Sequence, residues 1–235
     1  MSLILSPAPH VRTKNTTQRL MLNVVISLLP CAAAGIYYFG LRAAIVLAVS
    51  VVSAVLAELV WQKLAHQTVR INDFSAVVTG LLLGLCITPS APWWMVMIGA
   101  FFAIIVVKQL FGGLGTNFLN PALGGRAFLM LCYPVPMTTW VLPGKANWAS
   151  IVSAADAVTG STPLSNDLMK NSVLPDASLA DMFIGNIGGC VGEVSAIALL
   201  IGGIYMLAKG VIRIRIPAAY IITVAVLTLI FSRAP

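Results

Sequence analysis

The chain alternates between long apolar runs and short polar ones, and the apolar runs define its elements. Leu20 to Leu41 is uncharged and is long enough for one bilayer crossing, which takes about 20 apolar residues per helix. Ala43 to about Trp61 is a second run, with Glu58 near its end. Phe74 to Val107 is uncharged throughout, but Thr88-Pro89-Ser90-Ala91-Pro92 divides it. The division predicts a third helix ending near Ile87, short enough to be tilted or a partial span, and a fourth running to about Leu110. Ala122 to about Val141 is a fifth, and Met182 to Ala208, interrupted only by Glu193, a sixth. Ile216 to Phe231 is a seventh. Pro30 and Pro217 fall within or at the start of these runs, where neighbouring helices satisfy the freed backbone groups.

Composition turns this pattern into a class. Hydrophobic residues make up 59% of the chain and charged residues 9%. A soluble domain carries about 25% charged residues, so a water-facing surface cannot be built here. The mean hydropathy is +0.97. The prediction is an all-α integral membrane protein, a polytopic bundle of about seven transmembrane helices. The first 19 residues are polar and basic and no small-residue cleavage site follows the first apolar run, which therefore reads as a retained helix rather than a signal peptide.

The net charge of +7 invites a nucleic-acid reading, and its distribution argues against one. Arg12, Lys14 and Arg19 precede the first helix; Lys63, His66 and Arg70 follow the second; Lys108 ends the fourth; Lys209, Arg213 and Arg215 follow the sixth. These are alternate loops. The segment 142–181 instead holds Lys145 and Lys170 against Asp156, Asp167, Asp176 and Asp181. Positive-inside counting puts the N-terminus in the cytoplasm and 142–181 on the external or periplasmic face. The basic loops face anionic lipid, and no nucleic-acid partner is implied. The expected organisation is an arm over 1–19, a five-helix unit over 20–141, an external loop over 142–181 and the start of a second unit over 182–235.

Cys31, Cys86, Cys132 and Cys190 lie in four different apolar segments without CxxC or clustered histidine. That spacing disfavours a metal or disulfide framework and favours packing roles. Glu193 within the sixth run is a candidate for an ion path or for a structural pair with Arg126, since an acid inside a span needs a partner or water. Glu58 lies near the end of the second helix, and Asp73 reads as a cap of the third. The tryptophans, Trp93-Trp94, Trp140 and Trp148, read as interfacial belts rather than redox groups.

Two stretches carry candidate chemistry. In Asp156-Ala-Val-Thr-Gly-Ser-Thr-Pro-Leu164, Gly160 and Ser161 let a bulky group approach the backbone, and Pro163 fixes the chain after Thr162. The Thr162 hydroxyl then stands on a constrained turn, although an ordinary Thr-Pro turn has the same composition. An unactivated threonine is a poor nucleophile, so a covalent group here needs an enzyme to install it. In Phe111-Gly-Gly-Leu-Gly-Thr-Asn-Phe-Leu-Asn-Pro-Ala-Leu-Gly-Gly-Arg126, Asn120 is an N-cap and Pro121 a first helical residue. The helix start, with Arg126 a turn and a half inside, suits a phosphate or the polar edge of a flavin. Tight helix–loop–helix packing through Gly112, Gly113 and Gly115 explains the same residues. A water pore with paired Asn-Pro-Ala triplets is a weaker reading, because a second triplet is absent.

Asp156–Leu164 resembles the flavin-attachment motif of the family that contains the D subunit of Rnf electron-transport complexes and the B subunit of the Na⁺-translocating NADH:quinone reductase. Ser6-Pro-Ala-Pro-His10, Asp73-Phe-Ser-Ala-Val-Val-Thr-Gly, Lys108-Gln-Leu-Phe-Gly-Gly and Gly185-Asn-Ile-Gly-Gly-Cys-Val-Gly-Glu-Val-Ser resemble further family segments, in the family's order. The short N-terminal arm favours the Rnf type. The resemblance implies FMN on Thr162 through a phosphoester bond, with Ser161 where the family commonly has alanine. It also implies non-covalent riboflavin, a flavin transferase, and partner subunits of an ion-translocating electron-transport complex of the bacterial inner membrane. A dinucleotide fingerprint and an iron–sulfur ligand set are both lacking, so NAD and iron–sulfur chemistry fall to the partners. A cofactor-free permease or channel is the alternative. The family fold has about ten helices in two inverted halves, as in many transporters, and seven here correspond to one half and part of the second.

Overall fold

A computed structural model describes residues 16–143 and 179–232. Among the described residues the chain is helical, with no strand. The helices are α1 (Thr17–Phe39), α2 (Leu41–Leu64), α3 (Ser75–Leu85), α4 (Trp93–Phe101), α5 (Pro121–Cys132), α6 (Pro134–Thr138), α7 (Leu179–Ile184), α8 (Ala196–Ala208) and α9 (Arg215–Ser232). A 3-10 turn over Ile71–Asp73 precedes α3, and α4 runs on as a π-helix over Phe102–Gln109.

The first two helices, of 23 and 24 residues, are long and apolar enough to cross a membrane. Thr16 caps α1, its side chain accepting from the Arg19 N–H, and Gly40 at φ +66 ends it. Glycine enters that left-handed region without a Cβ clash, so the chain reverses in one residue and α2 begins at once.

Small residues hold the helices together. A Cβ on Gly80 or Gly84 of α3 would meet the α2 backbone at Val51 and Leu47 respectively, and the Ser50 hydroxyl donates to the Gly80 carbonyl at 2.7 Å. Gly99 of α4 accommodates the Leu129 side chain of α5, and Gly125 of α5 lies on Ala103. Gly202 of α8 lies on the Ser27 carbonyl of α1. In lipid, close backbone approach and interhelical hydrogen bonds take over what the hydrophobic effect does in water. Around these contacts Leu83, Ile87, Met95, Ile104 and Leu129 form one buried cluster, and Cys31, Phe39, Leu47, Leu85 and Val191 another.

Two of the expected spans are broken. The fifth, expected from Ala122 to Val141, stops at Cys132: Tyr133 leaves helical geometry at φ −133, ψ 61, and Pro134 starts the short α6. A proline disfavours helical geometry in the residue before it, which is what ends α5. The sixth, expected to run from Met182 to Ala208, is split into α7 and α8 by a non-helical stretch over residues 185–195. Gly185 turns the chain at φ +116, and the Ser195 hydroxyl restarts it by capping α8 at the Ala198 N–H. The backbone groups freed by this break pair with those freed at the break after α3. Val191 N–H donates to Ile87 O at 3.1 Å and Gly192 N–H to Leu85 O at 2.8 Å. Two interrupted elements thus satisfy each other in an apolar interior.

Candidate functional site

Among the described residues, three polar sites punctuate the bundle. The largest starts from Glu58 on α2, 2% exposed, facing Lys108 on the π-helix, also 2% exposed. Lys108 Nζ donates to Glu58 Oε1 at 2.8 Å, to Oε2 at 2.9 Å and to Ser75 Oγ at 2.6 Å. An ammonium has three donors, and all are used. Gln109 Nε2 donates to the same Oε1 at 2.8 Å, and Gln62 Nε2 approaches it at 3.3 Å. The network continues outward: Ser75 Oγ donates to Asp73 Oδ1 at 2.7 Å, and Gln62 Oε1 accepts from the Arg70 N–H at 2.9 Å.

The π-helix makes this arrangement possible. Its wider turn, seen in the Leu110 N–H to Ile105 O bond of 3.0 Å, lets consecutive residues Lys108 and Gln109 reach one carboxylate. Such π segments recur at functional sites. A cavity of about 590 Å³ opens beside the network, lined in part by Glu58, Gln62, Arg70, Asp73, Gln109 and Gly113. Charge counting along the sequence places Lys108 among the basic loop residues; the fold buries it as a counter-ion instead. Asp73 does cap α3, its Oδ1 accepting from the Ser75 N–H at 2.9 Å.

The second site is the Gly-rich connection to α5. Gly112, Gly113 and Gly115 have φ of +100, +92 and +92, so all three occupy the region that glycine tolerates best. Asn120 caps α5, its side-chain oxygen accepting from the Ala122 N–H at 3.0 Å, and Pro121 is the first helical residue. Gly112 and Gly113 line the cavity, whereas Asn120 and Arg126 do not.

The third site is where the two breaks meet. Arg126 on α5 directs Nη2 to Cys190 Sγ at 3.8 Å. Glu193 is exposed and accepts from the Cys190 N–H at 3.0 Å. The expected Glu193–Arg126 pair does not form; among the described residues the buried pair is Glu58–Lys108. Glu193 lies in the non-helical stretch, where the Cys190 N–H donates to its carboxylate. Cys190, expected only to pack within its own segment, is thus a neighbour of a guanidinium carried by α5. Sequence spacing could not reveal that, because the join of the breaks creates it. Glu58 and Lys108 did leave a signal, as an acid within one apolar run and a cation ending another.

Thr162, Gly160, Ser161 and Pro163 lie outside the described residues.

The sequence of this chain over residues 4–235 matches the family described as NQR2, RnfD, RnfE. The chain belongs to that family. It is 44% identical over 240 residues to the D subunit of the Na(+)-translocating ferredoxin:NAD(+) oxidoreductase complex of Acetobacterium woodii, covering 100% of this chain and 71% of that protein. It is 39% identical to the D subunit of the proton-translocating ferredoxin:NAD(+) oxidoreductase complex of Clostridium ljungdahlii, over 97% of this chain and 69% of the relative. The D subunit of the ion-translocating oxidoreductase complex of Rhodobacter capsulatus is 34% identical, over 95% and 68%.

Proposed function

We propose that this chain is the D subunit of an Rnf-type complex of a bacterial inner membrane, a redox subunit that carries FMN on Thr162 and works only with its partner subunits. The complex would pass electrons between ferredoxin and NAD⁺ while moving Na⁺ or H⁺. The observation that carries the reading is the family match along nearly the whole chain, joined to the attachment motif at Gly160-Ser161-Thr162-Pro163. The charge pattern supports a cytoplasmic N-terminus and an external segment 142–181, the side on which a flavin transferase would act. The flavin supplies one- and two-electron chemistry; the protein's part is to position it and set its surroundings.

A non-covalent riboflavin is the second cofactor in this reading. Sequence pattern points to Asn120 and Arg126 for its polar edge; they lie outside the cavity against Gly112 and Gly113, whose glutamine, threonine and arginine groups offer a separate place with the mixed donors and acceptors that an isoalloxazine edge needs.

The test is a denaturing gel of the protein made with its flavin transferase, viewed under ultraviolet light. A fluorescent band at the chain's mass is expected, since only covalent flavin survives denaturation. Thr162→Ala and the near-isosteric Thr162→Val should both abolish it, while Thr159→Ala should retain it at least in part. A band that survives either change at 162 refutes the site. Purified complex without any flavin absorption would instead support a cofactor-free permease.

A further inference from the structure

The chain has seven aspartate and glutamate residues, and residues 1–57 and 194–235 hold none of them. Helices α1 and α8 come from these two stretches and pack on each other. Gly202 of α8 lies on the Ser27 carbonyl of α1, and the Tyr205 hydroxyl donates to Asn23 Oδ1 at 3.3 Å. The two contacts step in opposite senses along the two helices, so the start of α1 meets the end of α8. Arg19 lies four residues before Asn23 and Lys209 four residues after Tyr205, each one turn nearer that end. Both are exposed, and Lys209 Nζ stands 5.7 Å from the centre of the Tyr205 ring. Arg213 and Arg215, also exposed, follow where Gly210 at φ +66 turns the chain toward α9. None of the four cations joins an ion pair among the described residues. Asp73 shares the cavity with Thr17, but its Oδ1 accepts from Ser75. Arg19, two residues on from Thr17, is rotated about 200° away around α1. Glu193 precedes α8 and lies at its other end. The apolar side chains beside the contact complete the pattern. Leu22 and Ile26 of α1 and Ile201 and Ile204 of α8 are exposed. Each comes one residue before a contact residue, which in antiparallel helices puts all four on the same side of the pair.

We propose that this end of the α1–α8 pair binds one anionic phospholipid. Arg19 and Lys209 hold its phosphate, Arg213 and Arg215 add positive charge at the rim, and its acyl chains run along the apolar groove below. Basic pockets between membrane helices recognise anionic headgroups in this way, and tyrosine suits the depth at which the headgroup sits. The starts of α1 and α9 add the partial positive charge of helix N-termini. A free phosphate would use the cations and leave the groove idle, and so would an acidic protein surface. Cations above an exposed apolar groove match a lipid in both halves. The bound lipid would tie together two helices that are far apart in the chain. The proposal does not depend on the flavin sites.

The experiment uses the whole chain purified in a neutral detergent. Phosphatidylglycerol or phosphatidylcholine with matched acyl chains is added in mixed micelles, and lipid bound per chain is counted by native mass spectrometry. Phosphatidylglycerol should be retained at a lipid concentration at least about tenfold lower than phosphatidylcholine. Arg19→Gln and Lys209→Gln should each weaken that retention about fivefold, and R19Q/K209Q by more than about tenfold. Lys63→Gln removes an equal charge from another exposed position and should leave retention within about twofold. R19K/K209R keeps both charges and should retain the lipid, which separates loss of charge from loss of fold. Equal retention of the two lipids would overturn the proposal. So would an equal loss in Lys63→Gln, because binding would then follow net charge alone. Displacement of the lipid by millimolar inorganic phosphate would reduce the site to one for a free anion. Shielding of Lys209 from acetic anhydride by assembly with partner subunits, with none from phosphatidylglycerol, would assign the surface to an acidic protein and overturn the lipid.

Discussion

The Glu58–Lys108 network and the Arg126 site are both cations placed among apolar helices, and they are solved in opposite ways. Lys108 is fully buried, and each of its donors meets an oxygen, two of them on a carboxylate. Arg126 is half-buried, and the side-chain acceptor it reaches is the Cys190 thiol, a weak one. The difference follows from solvation. A buried charge without a partner costs several kcal/mol, so Lys108 requires Glu58. A longer side chain with access to the surface keeps part of its hydration and makes do with less. A cation in an apolar run therefore demands a carboxylate in proportion to its burial, and not simply because it lies in the run.

Breaking the pair should give the largest effect. Lys108→Met leaves the Glu58 carboxylate buried and unpaired, and should destabilise the protein by roughly 3–5 kcal/mol. Adding Glu58→Met to it should recover much of that loss, because both charges are then gone. Thermal unfolding in detergent of the two single variants and the double variant measures the coupling. Additive losses would mean that the two charges do not depend on each other.

At the other site, the backbone join should matter more than the cation. Gly192→Ala places a Cβ against Leu85 and should cost about 1–3 kcal/mol by overpacking. The same unfolding assay reads it, and an unchanged midpoint would show that the breaks are not pressed together. The smallest effect belongs to Arg126→Met, which removes no ion pair and preserves the apolar stem; a change of no more than about 0.5–1 kcal/mol is expected. A loss as large as that of Lys108→Met would erase the contrast between the two sites.

The caps and turns were legible because each depends on neighbours in the chain. Asn120 and Pro121 start α5 and Asp73 caps α3, as local hydrogen-bonding rules require. The break at Thr88–Pro92 was equally local. The split of the expected sixth span was not legible, although Gly185, Gly188, Gly189 and Gly192 lie within it. Apolar glycine-rich sequence is compatible with a close-packed helix or with an open stretch, and the choice rests on whether freed backbone groups find partners. Leu85 and Ile87 supply them from about a hundred residues away.

By itself, the sequence determined the class, the long apolar helices, the local caps and the family. These follow from hydrophobic length, from charge scarcity and from short-range hydrogen bonding, none of which requires knowing what is adjacent in space. Only the tertiary structure decided that Lys108 is an internal counter-ion, that the π-helix turns Gln109 to the same carboxylate, and that Cys190 lies against Arg126. Each of those is a pairing between elements far apart in the chain. The energy that selects such a pairing, the cost of leaving a buried polar group alone, exists only once the helices have closed around it.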